Sequence, residues 1–449
     1  MSTISIRRQA EKPNDPSILG DKIHLPFSGK TAKSRFMKGA MTEYQSSWDQ
    51  NDLSKRGIPS EGLIRVYEEW GKGGFGIILS GNTIVDEINL EGPGNPIMNK
   101  RVADQPERAK AFQRLAAGAK AEGSLFITQL SHGGRQVADN INPKPVSASD
   151  IKLDDRMGHS FGKPTPLSKE GIREVIDNFA FAAKYAYDNG SDGVQLHAAH
   201  GYLLAQFLAQ TTNKRTDEYG GSLENRARII YEIVQEIRKQ VSDPSFILAI
   251  KINSVEFQSG GFTPEECKEV CAQLENLGVD VIELSGGTYE ELAFSHKRES
   301  TIKREAFFLE FSEIIRKGIK KSTIWTTGGF RTAKGMIDAI QSGSTDGIGL
   351  GRPVTQEFDL PKKLISGEAI AATKTLLDEN NFMITNVASG TQMQQIGNKL
   401  QPFDQANEDD LEHFNQSMQS WMQNMGEKGK EGIVAAGYPQ LGGQPLKSV

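Results

Sequence analysis

Three side chains able to move protons lie together in VQLHAAHGYLLAQF: His197, His200 and Tyr202. An apolar run precedes them, so the histidines stand where a buried strand ends. Residues three apart on a strand face opposite sides. The imidazoles converge only if the chain turns between them, and Gly201 permits a turn. Two converging N–H donors aimed at one oxygen would polarise a carbonyl. Tyr202 is then the candidate proton donor. A metal site needs a third ligand and usually a carboxylate close by; none is adjacent, so metal binding ranks low. The plainer alternative has one histidine capping the strand while the other packs.

Further along, Lys251 ends the run SFILAIKI. A lysine inside a ring of strands needs an anionic or electron-rich partner. It suits a Schiff-base nucleophile or the electron-rich edge of a flavin. Spacing does not separate these from a surface lysine beyond the strand end. TTGGF and GLGRP place Gly328, Gly329 and Gly351 at loop-to-helix junctions. Backbone N–H groups there can meet an anion, and Arg352 adds a fork for phosphate oxygens. One such loop reads as a turn; two loops and an arginine favour phosphate.

The elements that would position these residues follow a rhythm from Ser34 onward. Eight short apolar runs appear: SRFMKGAM, FGIILSG, SLFITQL, DGVQLHA, SFILAIKI, DVIELSGG, STIWTTGG and DGIGLG. Amphipathic stretches such as ERAKAFQRLAAGAKAEG and RARIIYEIVQEIRKQ separate them. This alternation predicts parallel strands with crossover helices, closed as a single (β/α)8 barrel in the α/β class. A doubly wound open sheet is the runner-up, weakened because no G-x-G-x-x-G follows the first strand. Chemistry in such a barrel sits at the carboxyl ends of the strands. The rim then comprises Met41 and Thr42, Gly81, Gln129 with His132, the His197 group, Lys251, Ser285 to Gly287, Gly328–Gly329, and Gly351–Arg352.

Boundaries follow from the same rhythm: an arm and hairpin over 1–33, a barrel over 34–366 and an extension over 367–449. In the extension, Leu411, Phe414, Met418, Trp421, Met422 and Met425 recur at helical spacing, predicting an amphipathic helix over 408–425. Packing on the barrel's own outer surface is favoured over a subunit contact, though a homo-oligomer through this extension stays open. The net charge of -5 comes without a long basic run, which points away from nucleic acid and anionic membranes. Two cysteines, Cys267 and Cys271, exclude a cysteine-ligated cluster. They fall four apart on a helical pattern and read as small core residues. Without a signal core or a long apolar run, a cytoplasmic setting is expected.

Beyond these physical readings, the chain from about Lys22 to about 367 resembles the old yellow enzyme family of FMN-dependent NAD(P)H oxidoreductases. HAAHGYLLAQFLAQTTNKRTDEYGGSLENRARII carries the likeness most specifically, with QLSHGGRQ, SRFMKGAMTEY and DGIGLGRPV in support. The resemblance implies that Gly39, Ala40, Met41 and Thr42 line the flavin, Thr42 at its O4 edge. It implies that Gly81 and Gln129 contact the ring, that Lys251 lies beside the pyrimidine edge, and that Gly328, Gly329, Gly351 and Arg352 hold the phosphate. His197 and His200 would grip the oxygen of an enone or of the nicotinamide amide. Tyr202 would donate the proton, and Tyr44 would touch substrate. Two positions depart from the family pattern: Ala40 replaces a usual proline, and Lys251 a usual arginine, keeping the charge but losing the planar fork.

The expected activity is therefore hydride transfer from NADPH or NADH through FMN to the C=C of an α,β-unsaturated carbonyl, a small-molecule electrophile. Rival readings are a flavin oxidoreductase with another donor or acceptor, a flavin-free lyase using Lys251, and a scaffold built around the 408–425 helix. The loop 136–166 is expected to cover the pocket.

Overall fold

The computed structural model describes residues 6–156, 158–256, 258–286 and 301–447. Gly287, placed on the rim by sequence, lies outside the described residues.

All eight apolar runs form parallel strands: β1 (Phe36–Lys38), β2 (Ile77–Leu79), β3 (Leu125–Ser131), β4 (Gly193–Ala198), β5 (Ile247–Asn253), β6 (Val281–Ser285), β7 (Thr323–Thr327) and β8 (Gly347–Leu350). Each pairs with the next, and β8 pairs back onto β1 with Ile348 opposite Phe36, so the sheet closes into a (β/α)8 barrel. The predicted helices surround it: α1 (Glu61–Gly71), α2 (Pro106–Lys120) and α3 (Lys169–Asp188), then, after a short α4 (Leu203–Leu208) that the pattern did not predict, α5 (Leu223–Gln240), α6 (Pro264–Asn276), α7 (Thr301–Arg316) and α8 (Ala333–Gln341). Local chemistry starts them. The Ser222 hydroxyl accepts the Asn225 N–H at the head of α5. At α6, Thr263 and Glu266 form a reciprocal capping box.

Strand alternation sorts the side chains into two sets. Leu196, Ile250 and Ile282 face outward into the layer beneath α3, α5 and α6. Met37, Ile77, Ile127, Ile247, Ala249, Val281 and Trp325 point inward. Ile23, Leu25 and Ala32, from the N-terminal hairpin, join that inner cluster and close the barrel's lower end. The same alternation, two residues further up each strand, points Gln129, Gln195, Lys251, Glu283 and Thr327 inward above the apolar layer. Cys267 and Cys271 are buried on α6 as unoxidised thiols. Among the described residues no helix is long and apolar enough to cross a membrane.

Beyond β8 come α9 (Pro353–Gln356), α10 (Leu360–Ser366), α11 (Phe382–Gly397) and α12 (Glu408–Lys430). The predicted amphipathic helix is therefore present, but its stripe does not lie on the barrel wall. Phe414 is buried and stacks on Phe403 at 5.0 Å, and Leu411 and Met418 pack beside them against Ala388 of α11. It is α11 that reaches the barrel, packing on α1. The shorter but more apolar α11 takes the inner position and leaves α12 an outer one, with Met422 half exposed.

After α12 the chain returns to the barrel mouth. The Trp48 indole N–H donates to the Val434 carbonyl at 2.8 Å, and Gln50 bonds to both Gly432 and Val434. Tyr438 is buried, and its hydroxyl donates to the Thr42 carbonyl at 2.9 Å. Its ring lies 5.4 Å from that of Tyr44. A Cβ at Gly390 would meet the Tyr438 ring at 2.4 Å, so only glycine admits this packing. Tyr438→Phe is expected to cost about 1 kcal/mol through the lost hydrogen bond. Tyr438→Ala should cost about 3–5 kcal/mol through the cavity. Urea unfolding checks both, and equal stabilities would show that the tail does not brace the Thr42 loop.

Candidate active site

The floor of the site is a polar layer across the barrel. The Gln129 amide donates to Gln195 at 2.7 Å, and Gln195 donates to Glu283 Oε2 at 2.8 Å. The Lys251 ammonium lies 3.3 Å from Glu283 Oε1, which also accepts from the Thr327 hydroxyl at 2.7 Å. Lys251 and Glu283 are both buried. The register therefore settles the Lys251 side chain inside the ring, and the anion it needs is Glu283. Sequence reading did not single out Glu283, although its inward position in VIELS was a usable signal.

Above this floor stands the histidine pair. His200 adopts φ 58°, a left-handed conformation rare outside glycine, and Gly201 follows at φ 75°. The turn thus begins at His200 itself. Asn253 Oδ1 accepts the His200 N–H at 3.2 Å, and the Gln136 amide donates to its carbonyl at 3.1 Å. These bonds hold a conformation that costs on the order of 1–3 kcal/mol. They also bring the start of the 136–166 loop to the site.

The two rings converge and bond to each other. His197 Nε2 and His200 Nδ1 share a hydrogen bond of 3.2 Å, with the rings edge to face. His197 Nδ1 lies 2.7 Å from Asn82 Oδ1, and His200 Nε2 lies 2.8 Å from the Ser285 hydroxyl. Tyr202 is buried with its ring 4.8 Å from His197. Burial, followed by the neighbouring charges of His200 and Lys251, holds His197 well below the usual histidine range. Burial and Lys251 do the same to His200. Both rings are neutral near pH 7.

A pH dependence follows. Between their lowered values and the ordinary 6.5, these histidines take up protons only in the unfolded chain. Stability is then flat above about pH 6.5 and falls as pH drops below it, by up to ~1.4 kcal/mol per unit per group. Urea midpoints from pH 7.5 to 5 should show this decline, with a shallower slope in His197→Gln/His200→Gln. Equal slopes would contradict it.

The remaining rim residues gather at the same mouth. Gly39, Ala40, Met41 and Thr42 follow β1, and the Gly39 N–H donates to Leu350 on β8 at 2.8 Å. Gly81 follows β2, where a Cβ would sit 2.2 Å from Glu43 Oε2. Gly328 (φ 139°) and Gly329 (φ 82°) follow β7. Gly351 and Arg352 follow β8, and the Arg352 guanidinium donates to the Thr385 hydroxyl on α11 at 2.6 Å. Tyr44 sits further out, between Gly92 and Tyr438. Asn82, Glu91, Ser285 and Tyr438 complete the cluster; of these, only Ser285 was placed on the rim by sequence.

The Lys251 ammonium, the Gln129 amide, the Thr42 hydroxyl and the glycine loops after β7 and β8 therefore lie at one end of the barrel, beside a neutral imidazole–phenol cluster. That donor set fits a planar, electron-rich group carrying a phosphate. The chain belongs to the NADH:flavin oxidoreductase / NADH oxidase family, whose sequence model matches residues 25–370. It is 42% identical to the NADH-dependent flavin oxidoreductase nadA of Aspergillus parasiticus, over 91% of this chain and 92% of that protein. Among solved structures it is similar to a 2-naphthoyl-CoA reductase complex, with TM-score 0.70, 26% identity, and coverage of 80% of this chain and 54% of that one. An old yellow enzyme homologue from Zymomonas mobilis shares the fold at TM-score 0.63 and 23% identity, over 79% of this chain and 94% of that one. The old yellow enzyme resemblance is borne out.

Proposed function

We propose that this oxidoreductase takes hydride from NADH or NADPH and delivers it to the activated C=C of an α,β-unsaturated carbonyl. NADH is favoured as donor because nadA is NADH-dependent by name. The observation that carries the reading is the neutral His197–His200 pair with the Tyr202 phenol packed against it. FMN, when bound, supplies the two-electron carrier that no side chain here can provide. Gly39, Ala40, Met41, Thr42 and Gly81 line one side of its ring in this reading. Gln129 and Lys251 address the pyrimidine edge, and Gly328, Gly329, Gly351 and Arg352 the phosphate.

A carbonyl oxygen entering between the imidazoles takes over the N–H they now share, and charge building on that oxygen is stabilised. The Tyr202 hydroxyl, which meets Glu91 at 2.9 Å, then turns its proton away from that carboxylate and gives it to the α-carbon. Tyr44, backed by Tyr438, forms the outer wall of the pocket. In Tyr202→Phe, anaerobic reduction of the bound flavin by NADH should stay within about twofold of wild type. Reoxidation by 2-cyclohexenone should slow about 10²–10⁴-fold. Equal slowing of both half-reactions would remove the proton-donor role.

A further inference from the structure

One carboxylate draws the site together. The half-buried Glu91 accepts the Tyr202 hydroxyl at 2.9 Å on Oε1. On Oε2 it accepts the Thr42 hydroxyl at 2.7 Å, the Asn82 amide at 2.7 Å and the Asn95 amide at 3.2 Å. An ionised carboxylate only accepts hydrogen bonds, so each of these groups must donate to it.

That direction propagates. With its NH₂ turned to Glu91, buried Asn82 presents Oδ1 to His197 Nδ1 at 2.7 Å. An amide oxygen only accepts, so His197 carries its proton on Nδ1 and a lone pair on Nε2. The 3.2 Å bond between the rings is then donated by His200 Nδ1–H, and His200 Nε2 accepts from the Ser285 hydroxyl. The Ser131 hydroxyl, 3.4 Å from His197 Nδ1, is too distant to reverse this. The pair thus offers one acceptor and one donor, a pattern set four groups away from Ser285.

We propose that Glu91 is a positioning residue. Its charge holds the hydroxyl protons of Thr42 and Tyr202 toward itself and, through Asn82, fixes the proton of His197 on Nδ1. The role is independent of which acceptor the enzyme reduces. It would also bear on FMN bound in the proposed position: a Thr42 proton held by Glu91 would not be offered to the flavin, and the carboxylate's charge would disfavour electron uptake.

Three variants test it. Glu91→Gln removes the charge, Glu91→Leu removes charge and acceptor, and Glu91→Asp keeps both. The first readout is ¹⁵N NMR of histidine-labelled apoprotein, with His197 assigned by its loss in His197→Gln. Wild type and Glu91→Asp should carry the proton on Nδ1, and Glu91→Leu should move it to Nε2. The second readout is the midpoint potential of bound FMN, which should shift positive in both Gln and Leu variants and return toward wild type in Asp. Folded variants with wild-type ring protonation and an unchanged potential would overturn the proposal. If the Leu variant does not fold, the potential of the Gln variant decides alone.

Discussion

Replacing both His197 and His200 by alanine is expected to leave FMN bound and to slow enone reduction about 10²–10³-fold, the usual value of a donor aimed at developing oxyanion charge. Two observations support this. The rings are neutral and bonded to each other, so the pair stabilises a substrate oxygen through the one N–H they share and not by charge. They also stand above the Gln129–Gln195–Glu283–Lys251 layer and contribute no bond to it, so the floor survives their removal. Steady-state kinetics with 2-cyclohexenone, alongside flavin content of the purified variant, measure both halves. Wild-type turnover would defeat the assigned role. Loss of flavin would show that the pair holds the cofactor instead.

The second large effect concerns the floor. Lys251→Met takes the nearest cation from the Glu283 carboxylate, which has no solvent exposure and, among the described residues, keeps the Gln195 and Thr327 donors and the more distant charge of buried Lys38. Removing one partner of such a buried pair typically costs about 3–5 kcal/mol, because the other charge stays buried with its nearest counter-ion gone. Urea unfolding should show that loss. Lys251→Met/Glu283→Gln should recover most of it, since the amide oxygen can accept from Gln195 while its NH₂ donates to the Thr327 hydroxyl. Both variants should bind FMN more weakly, as each lacks the cation in the proposed pyrimidine position. A double variant no more stable than the single one would mean that Lys251 acts by packing alone.

Much of the architecture was legible because it repeats. Eight apolar runs with helical stretches between them admit few closed solutions, and the strand ends then gather Thr42, Gln129, His197, Lys251 and Gly351 at one mouth. What periodicity conveyed less well was the partner of each polar residue. Glu283 is the anion for Lys251, and its inward place in VIELS marks it as needing a partner without saying which one. Asn82 and Glu91 lie in a loop with no repeat, and their roles depend on bonds to Thr42, His197 and Tyr202 across the barrel. The Tyr438 contact joins positions 396 residues apart, which no local pattern encodes. The turn at the histidines was anticipated at Gly201, but His200 shares it, because bonds to Asn253 and Gln136 hold a backbone that histidine rarely adopts.

One measurement tests the ene-reductase assignment most directly. The purified protein is loaded with FMN, made anaerobic, bleached with one equivalent of NADH, and then mixed with 2-cyclohexenone while the flavin bands are followed. Return of the oxidised spectrum, with cyclohexanone formed in equal amount, is the predicted result. A spectrum that bleaches with NADH but stays bleached with the enone, and recovers only when air or a quinone is admitted, would contradict it.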